Sequence, residues 1–484
     1  MKSLGTNGLI LNEKLIFEHS DAGRRAVDFS PLDVPAVELP AALVRGGVDG
    51  FPEVSEIDVV RHFTRLSTWN YGVDSGFYPL GSCTMKYNPK VNEAAARLPG
   101  FAGVHPYAPE ELCQGTLELM GRMQQALAEI SGFAAVTLQP AAGAHGELAG
   151  MLMIRAWHEA KGSKRRKVLI PDTAHGTNPA TAALCGYDVV PIASEGILSA
   201  AEVRAHMDDG VAALMVTNPN TLGLFEAEIR EICDIVHAGG GLVYCDGANL
   251  NALLGIARPG DMGIDVMHFN LHKTFSTPHG GGGPGSGPVG VAAHLIPHLP
   301  IPVVREDGGK YSFDYDRPQS IGRLKAFAGH FGIIVRAWAY IRSLGPDGLK
   351  LASEMAVLNA NYIRARLEQG YHLPHQGRSL HEVVLSDRDL GGDCHTLDVA
   401  KRLIDYGYHP PTIYFPLVVK GAIMIEPTET ESKEVIDEFC DAMLAIAGEA
   451  RDNPDLLHDA PVRTKVRRLD ETAAARNPRL KWEA

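Results

Sequence analysis

Apolar and polar positions between about residues 133 and 300 follow the pattern of strands that alternate with helices. Five short apolar runs have the length of buried strands: Val168–Pro171, Asp188–Ile192, Ala212–Thr217, Gly241–Asp246 and Val266–Asn270. Three longer stretches are typical of helices: Gly146–Ala160, Ala200–Met207 and Ala227–Ala238. This repetition predicts an α/β fold whose central sheet is mainly parallel and is covered by helices on both faces.

The segments on either side of this region also show periodicity. The apolar stretch Leu112–Ile130 and the region around Phe327–Ser343 are predicted to be helical. From about residue 345 the pattern is that of a second α+β domain, in which Ala422–Glu426 is strand-like. Thr428 and Glu431 have the spacing of a capping box, which predicts a helix that continues to about Ile446.

Four regions follow from these patterns. They are an N-terminal arm (1–60), a large α/β domain (61–343), a smaller C-terminal α+β domain (344–450) and a C-terminal tail (451–484). The arm lacks clear periodicity and carries several prolines, so we expect it to wrap around another part of an assembly. A chain of 484 residues is too long for one compact core, which agrees with more than one domain.

Charge and cysteine content exclude several functions. The formal net charge of −13 argues against nucleic-acid binding, which favours a basic surface. The seven cysteines are scattered and none forms a C-x-x-C pair, so we expect reduced thiols rather than disulfides. Neither a long apolar run nor a signal-peptide pattern is present, so we expect no membrane association and a cytoplasmic location.

Two segments of small and polar residues adjoin predicted elements. Gln139–Glu147 lies directly before a helix, and its glycines and alanines would let backbone N–H groups approach an anion at the helix N-terminus. Many such turns bind nothing, so this segment alone indicates little. Asp172–Pro179 follows a strand and contains His175. This histidine either stacks on a flat ring or carries protons, or it is only hydrogen-bonded within its loop.

A carboxylate and a lysine stand at the ends of the next strands. Asp246 ends an apolar run, where a carboxylate is costly unless it is paired. It either caps the next segment or holds a positive charge on a ligand. Lys273 follows the run that ends at Asn270. Desolvation would lower the pKa of its amine and make it nucleophilic, whereas the alternative is an ion-paired structural lysine.

These parts together meet the needs of pyridoxal 5'-phosphate. That cofactor requires an amine for its aldehyde, a carboxylate for its ring nitrogen, an anion site for its phosphate and a flat group against its ring. The ordered pattern of glycine-rich turn, aspartate and lysine is more specific than any one of its parts. No metal site is expected, because His175, His272 and His279 lack a recognised ligand spacing.

Longer motifs carry a family resemblance over nearly the whole chain. They are Gly81–Asn88, Ala142–Glu147, Ala174–Ala180, Asp246–Asn249, Asn270–Phe275, His279–Gly285 and Glu426–Glu431. These motifs resemble the glycine decarboxylase P-proteins of the glycine cleavage system. The length resembles one half of the large single-chain form, so the chain is similar to subunit 2 of the two-subunit type, which keeps the cofactor lysine. The family often has glutamine where this chain has His145.

The resemblance implies a fold, a cofactor and partners. The fold would be that of the type I pyridoxal-phosphate-dependent aminotransferases. The reaction would be decarboxylation of glycine, with release of carbon dioxide and transfer of the aminomethyl group to the lipoyl arm of H-protein. The partners would be a homologous subunit 1 that lacks the lysine, in an α2β2 heterotetramer, and lipoylated H-protein.

The resemblance also implies roles for individual residues. Lys273 would hold the cofactor covalently, Asp246 would pair with its ring nitrogen, and His175 would stack on its ring. Gly143, Ala144 and His145 would hold its phosphate. His272 would touch the cofactor or a nearby acid–base path.

Residues on the substrate side are less well defined by the sequence. Ser82, Cys83 and Thr84 form either a substrate-side loop or a structural turn. Arg323 and Lys325 are candidates for binding the carboxylate of glycine. The glycines after His279 would let the chain lie close to the cofactor or to a neighbouring subunit.

Three other classes of function compete with this interpretation. One is another pyridoxal-phosphate enzyme, either a decarboxylase or a desulfurase, although no reactive-cysteine motif is evident. Another is a scaffold subunit without catalysis, against which Lys273 and Asp246 argue. A third is a nicotinamide dehydrogenase, which is disfavoured because no G-x-G-x-x-G follows the first strand of a βαβ unit.

Overall fold

The computed structural model describes residues 12–280 and 285–481. The chain divides into two compact units, one formed by residues 1–76 with 459–484 and the other by residues 77–458. The first residues of the predicted arm, the end of the predicted tail and most of the glycines of the 279–285 motif lie outside the described residues. The predicted division into domains at residues 343 and 450 remains a prediction.

The described helices and strands are as follows. The helices are α1 (Glu56–Ser67), α2 (Lys90–Ala96), α3 (Pro99–Ala102), α4 (Gln114–Ser131), α5 (Gly143–Ala160), α6 (Thr177–Leu184), α7 (Ala200–His206), α8 (Ile229–Ala238), α9 (Leu271–Thr274), α10 (Phe331–Leu367), α11 (Thr396–Tyr406), α12 (Lys433–Asp452), α13 (Asp455–His458) and α14 (Glu471–Arg476). The strands are β1 (Ala135–Thr137), β2 (Lys167–Pro171), β3 (Asp188–Ile192), β4 (Val211–Thr217), β5 (Leu242–Gly247), β6 (Val266–Phe269), β7 (Val289–Val291), β8 (Val303–Asp307), β9 (Lys310–Asp314), β10 (Val383–Ser386), β11 (Thr412–Ile413) and β12 (Ala422–Ile425).

The large sheet has seven strands in the order β1-β7-β6-β5-β4-β2-β3. Strands β2 to β6 run parallel, and β7 is antiparallel to both of its neighbours. The mainly parallel sheet predicted from the sequence is therefore confirmed. The predicted strands and helices of this region match β2 to β6 and α5, α7 and α8 to within a few residues at their ends, which is the usual uncertainty of element boundaries.

Burial on both faces explains the apolar runs of the central strands. Along β4, Leu214 and Val216 belong to one hydrophobic cluster, whereas Ala213 and Met215 belong to another. A strand that is buried on both sides has no polar face, so its residues form a continuous apolar run instead of alternating between apolar and polar. Buried polar residues such as Thr217 and Asp246 stand at the carboxyl ends of these strands.

The smaller sheet has the order β10-β12-β11 and is antiparallel. Its core includes Ile363 of α10 and Phe439 of α12. Helix α10 is broken at Gly345, because this residue has a φ of 64° and the next residue is Pro346. Two helices therefore meet there. The predicted capping box at Thr428 and Glu431 is wrong.

The cap of α12 lies further along the chain than predicted. Ser432 accepts a hydrogen bond from the Val435 N–H, and the helix begins at Lys433. Thr428 has a φ of 64° and its hydroxyl accepts from the Thr430 N–H. Thr428 therefore closes a tight turn before the helix. Thr430 and Ser432 follow it, so the sequence contains more than one residue that could cap α12.

The first unit contains an extended segment rich in exposed apolar residues. Ser55 caps α1 in a reciprocal arrangement with Asp58. Every residue from 20 to 51 is exposed. Ten large apolar side chains lie in this segment: Val27, Phe29, Leu32, Val34, Val37, Leu39, Leu43, Val44, Val48 and Phe51. Among the described residues, no helix has the length and apolar character needed to cross a membrane.

A buried lysine connects the segment before α2 to the turn that carries Lys273. Lys86 Nζ donates to Glu429 Oε1 at 2.7 Å, to Asn251 Oδ1 at 2.8 Å and to the carbonyl of Thr274 at 2.9 Å. Its side chain is 1% exposed and that of Glu429 is 11% exposed. An ion pair this buried depends on both partners, because removing one leaves the other charge uncompensated.

We therefore expect Lys86→Met to lower the free energy of unfolding by about 3–5 kcal/mol. Denaturant titration measures this change. Lys86→Met combined with Glu429→Gln should recover a large part of the loss, because no uncompensated charge then remains. Lys350→Met is the control: its partner Glu354 lies 3.6 Å away and both side chains are half exposed. A loss from Lys86→Met no larger than that from Lys350→Met would contradict the interpretation.

Candidate active site

A cleft lies where the carboxyl ends of β4, β5 and β6 meet the N-terminus of α5. Ligands bind at this edge in open parallel sheets. The cleft is lined by Ser82, Gly143, Ala144, Glu147, His175, Thr177, Thr217, Thr221, Asp246, Ala248, Asn249, His268, Asn270, His272 and Lys273. The structure thus brings together seven of the residues proposed from the sequence, namely Ser82, Gly143, Ala144, His175, Asp246, His272 and Lys273.

The N-terminus of α5 presents backbone amides to the cleft. Ala142 is its N-cap and supplies no side-chain cap, and the first hydrogen bond of the helix runs from the Gly146 N–H to the Ala142 carbonyl. In the described chain, the amides of Gly143 and Ala144 have no hydrogen-bond acceptor. Free amides at a helix N-terminus, together with the helix dipole, favour an anion at this position.

His145 occupies the same helical turn but its side chain points elsewhere. The Nδ1 atom accepts a hydrogen bond from the Ala141 N–H at 3.1 Å. Burial lowers the pKa of His145, and the nearby Lys325 lowers it further. His145 is not among the described residues that line the cleft. A phosphate contact from its side chain remains a prediction.

Asp246 is a buried carboxylate at the end of β5. Oδ1 accepts from the Ala248 N–H at 2.9 Å and Oδ2 accepts from Asn178 Nδ2 at 3.2 Å. Burial by itself would raise the pKa of Asp246, but the neighbouring His268 and Lys273 outweigh it and hold the pKa below its usual range. Asp246 is therefore an anion at neutral pH and can hold a positive charge in the cleft.

His268 completes a hydrogen-bonded network behind Asp246. Its Nε2 lies 3.3 Å from Asp246 Oδ1, and its Nδ1 pairs with the Tyr244 hydroxyl at 2.6 Å. Burial lowers the pKa of His268, whereas the adjacent Asp246 raises it. The Tyr244 hydroxyl at Nδ1 and the Asn270 side-chain amide at Nε2, 3.2 Å away, hold the ring against the Asp246 carboxylate.

Lys273 lies on α9, the short helical turn that follows β6. Its side chain is half-buried, and its Nζ makes no hydrogen bond or ion pair with residues 12–280 or 285–481. The neighbouring His272 also lines the cleft, because the chain has already left the strand and successive residues need not alternate. Burial lowers the pKa of His272 to about 3, and the nearby His279 and Lys273 act in the same direction. The ring of His272 is thus neutral, and it lies next to Lys273 in the cleft.

His175 stands at the mouth of the cleft. It is exposed, its Nδ1 accepts from the Thr177 N–H at 3.2 Å, and its ring packs edge-on to Phe415 at 5.6 Å between centroids. The hydrogen bond within the loop and the position in the cleft are both present, so the two interpretations of this residue are compatible. Stacking on a ligand ring remains a prediction.

The loop of Ser82, Cys83 and Thr84 borders the cleft with one residue. Ser82 lines the cleft, the Cys83 carbonyl accepts from His279 Nε2 at 2.9 Å, and Thr84 is buried against Glu426. Ser82 and Thr84 have φ values of 65° and 49°, which are uncommon for residues other than glycine. The loop is thus held in a strained shape by its contacts.

Arg323 and Lys325 lie away from the cleft lining. The Arg323 guanidinium lies over the Tyr315 ring at 5.7 Å, and Lys325 Nζ donates to the Ala326 carbonyl at 2.9 Å. A role for either residue in binding the substrate carboxylate remains a prediction.

Several residues of the site were missed in the sequence. Asn178, Glu147 and His268 surround Asp246, and burial together with Asp246 raises the pKa of Glu147 to about 7. Asn178 and Glu147 lay inside the motifs already singled out, so their polar side chains were available as a signal. His268 sits inside an apolar run and gave none.

Comparison with known protein families matches two parts of the chain. The family described as aminotransferase class-V matches residues 146–282. The family described as glycine dehydrogenase, C-terminal domain, matches residues 352–461. A solved glycine decarboxylase (P-protein) of the glycine cleavage system, in inhibitor-bound form, superimposes with a TM-score of 0.72 at 20% identity, over 84% of this chain and 93% of that one. These matches place the chain in the class of proteins with an aminotransferase-type fold, as the resemblance in sequence implied.

Two relatives are similar over almost the entire chain. The probable glycine dehydrogenase (decarboxylating) subunit 2 of Desulforamulus reducens is 59% identical over 482 residues, which are 98% of this chain and 99% of that protein. The protein of the same name from Lysinibacillus sphaericus is 58% identical over 483 residues, again 98% and 99%. The chain belongs to the glycine dehydrogenase (decarboxylating) subunit 2 family.

Gly143 tests whether the N-terminus of α5 is an anion site. A Cβ at this position would lie 2.6 Å from Asn270 Oδ1 and 3.1 Å from His268 Nε2. We expect Gly143→Ala to weaken the binding of pyridoxal phosphate at least about tenfold, because the turn must shift away from its ligand by a sizeable fraction of an ångström. Gly115→Ala in the first turn of α4 meets no atom within 4 Å and is the control. Absorbance titration of both purified variants decides the matter, and equal affinities would exclude the anion site.

Proposed function

We propose that this chain catalyses the pyridoxal-phosphate-dependent decarboxylation of glycine, with transfer of the aminomethyl group to the lipoyl arm of H-protein and release of carbon dioxide. One observation carries the proposal: Lys273 and the first amides of α5, which have no partners among the described residues, line the same cleft as a buried, ionised aspartate. Without a ligand, the buried charge of the aspartate is costly, and the lysine and the amides have no partner among the described residues.

The polar groups of the cleft fit pyridoxal phosphate. Three buried oxygens have no hydrogen-bond partner in the part of the chain that the structure describes: Thr217 Oγ1, Asn178 Oδ1 and Asn270 Oδ1. Buried polar atoms are nearly always satisfied in native proteins, so such atoms indicate a missing ligand. The bound cofactor supplies an electron-accepting ring for the bond that breaks at the amino-acid carbon.

Each side chain has a distinct task in this proposal. Lys273 Nζ would bond the cofactor aldehyde, and the amides of Gly143 and Ala144 would hold its phosphate. Asp246, oriented by Asn178 and His268, would keep a proton on the ring nitrogen, because an adjacent buried anion stabilises the charged form.

The remaining residues complete the cleft. His175 would cover one ring face at the cleft mouth. His272 is neutral and would contact the cofactor without adding charge. Ser82 would border the substrate side together with Cys83 and Thr84 of the same loop, which Glu382 and Glu426 hold in place.

A subunit of this family implies a partner subunit, and the apolar segment from Val27 to Phe51 is suited to one. So many exposed large apolar side chains mark an interaction surface. We propose that subunit 1 covers this segment in an α2β2 assembly, and that lipoylated H-protein brings its arm to the cleft. The cytoplasmic location remains a prediction.

A desulfurase is the strongest rival among pyridoxal-phosphate enzymes, because Cys83 lies close to Lys273. Burial raises the pKa of the Cys83 thiol, although Lys273 partly opposes this. Since the thiolate is the nucleophile in desulfuration, this environment works against that reaction.

Exchange of labelled carbon dioxide with the carboxyl group of glycine tests the function. We expect exchange when this chain is combined with pyridoxal phosphate, subunit 1 and lipoylated H-protein. Lys273→Ala should abolish the exchange and the visible absorbance of the lysine-bound cofactor. If borohydride still fixes the cofactor to the Lys273→Ala chain, the assignment of Lys273 is wrong. Release of sulfide from cysteine without exchange would favour the desulfurase.

Asp246→Asn separates cofactor binding from catalysis. The variant keeps the size of the side chain but loses its charge, so the ring nitrogen no longer has an anionic partner. We expect cofactor binding to persist, while kcat falls by about 100-fold or more, that is at least 2.7 kcal/mol of transition-state stabilisation. Absorbance titration and steady-state kinetics measure the two quantities. Turnover close to that of the unmodified chain would remove this role from Asp246.

A further inference from the structure

The proposed reaction takes up one proton in each transfer. Glycine enters with an ammonium group and a carboxylate, and carbon dioxide leaves without a proton. The electron pair left on carbon forms a carbon–sulfur bond while the sulfur–sulfur bond of the lipoyl ring breaks, and its electron pair goes to the second sulfur. A thiol has a pKa near 8.5, so this sulfur ends protonated at neutral pH. The site therefore needs an acid, an argument that rests on the proposed function.

A buried acidic cluster lies against the loop of Ser82, Cys83 and Thr84 that borders the cleft. His381, Glu382 and Glu426 are fully buried. A ring nitrogen of His381 and one carboxyl oxygen of each glutamate lie within 4.8 Å of one another. Glu382 Oε2 accepts from the Ser82 N–H at 2.8 Å. Because Ser82 lines the cleft, only the thickness of this loop separates the cluster from the substrate side.

The two carboxyl groups of the cluster are not equivalent. Glu426 accepts from Thr84 at both oxygens, from the N–H at 2.8 Å and from the hydroxyl at 2.6 Å. Glu382 Oε1 is buried without a hydrogen-bond partner in the described chain. Two buried carboxyl groups this close do not both ionise readily, and the group with fewer donors keeps the proton.

The surrounding charges agree with this assignment. Burial raises the pKa of Glu382 well above its usual range, and Glu426 raises it further, whereas Lys273 opposes both. Burial raises the pKa of Glu426 to about 7, against the hydrogen bonds from Thr84. The titratable groups that face the pair are His381, Cys83, Lys273 and Lys86. Burial lowers the pKa of His381 to about 3, so its ring adds no charge.

We propose that the carboxyl group of Glu382 carries a proton at neutral pH and supplies it, across the Ser82 loop, to the sulfur released when the lipoyl disulfide opens. The oxygen–hydrogen bond of Glu382 breaks, a water molecule relays the proton past the Ser82 loop, and the sulfur–hydrogen bond forms. Glu382 remains as a carboxylate that regains a proton from solvent. No oxidant or further reactant is needed, since the disulfide itself accepts the electron pair.

Glu382→Gln tests the proposal in the complete assembly with subunit 1. The amide keeps the size of the protonated acid and an acceptor for the Ser82 N–H, but it cannot supply the proton. We expect aminomethyl transfer to fall about 100-fold or more, while absorbance titration shows unchanged binding of cofactor and glycine. The infrared carbonyl band of a protonated carboxyl group in this chain without cofactor should be absent from the variant at neutral pH.

Glu226→Gln is the matched control. Glu226 is also buried with a pKa raised by burial to about 7, but it binds the Leu198 N–H and Asn220 Nδ2. This variant should leave the transfer rate unchanged. Glu426→Gln removes the like charge next to Glu382, so the pKa of Glu382 should fall and the alkaline limb of the transfer rate should move to lower pH. This second variant keeps the proposal testable if Glu382→Gln does not fold.

Several outcomes would overturn the role of Glu382. They are an unchanged transfer rate in Glu382→Gln, no difference in the infrared carbonyl band, an unmoved pH profile in Glu426→Gln, and a stoichiometric metal ion in the purified chain that is lost in either variant. If the unmodified assembly releases no carbon dioxide from glycine, the proposed function fails instead, and the infrared band still reports the protonation of Glu382 independently.

Discussion

The cost of holding a charge inside a protein shapes the active site of this chain. Asp246 is ionised although it stands at the end of a strand that is buried on both faces. A buried carboxylate is tolerated only with compensating donors or positive charge nearby. The Ala248 amide and Asn178 donate to it, His268 lies 3.3 Å away, and the strand order places Lys273 in the turn after the adjacent strand. The topology of the sheet, the helix termini and the position of the lysine therefore serve one electrostatic requirement.

The same logic applies to the other buried charges. Lys86 carries its charge into the core because Glu429 meets it there, and the pair holds the carbonyl next to Lys273. Among the described residues, no cation lies at hydrogen-bond distance from Glu382 or Glu426, and the proposed response is that Glu382 retains a proton. One site thus contains a buried anion, a buried ion pair and a buried acid, and local donors decide which form each group takes.

Much of the sheet and of the cleft lining could be predicted from the sequence. Runs such as Val211–Thr217 are apolar because both of their faces are buried. A continuous apolar run of this kind can be recognised directly in the sequence. Gly143, His175, Asp246 and Lys273 follow strands or precede a helix, so a parallel sheet brings them to the same edge. The short strands β1 and β7 were missed, since three residues carry no periodicity.

The substrate side was harder to predict for a physical reason. Ser82 and Glu382 are three hundred positions apart in the chain and meet only through the tertiary fold. Neither the lack of a hydrogen-bond partner for Glu382 Oε1 among the described residues nor the contacts of His268 have a signature in sequence, because both depend on what surrounds the side chain. The frame of Thr428 and Glu431 was ambiguous locally, and the packing of α12 against the smaller sheet selected the later cap at Ser432.

The exposed apolar segment between Val27 and Phe51 has a consequence for the supply of the protein in a cell. In the proposed assembly, a chain made without its partner would keep this surface in water, where it would favour aggregation and recognition by chaperones and proteases. Surplus copies would be removed faster than assembled ones. The abundance of the enzyme would then be set by the scarcer subunit, so that synthesis of the two chains in equal amounts wastes the least protein.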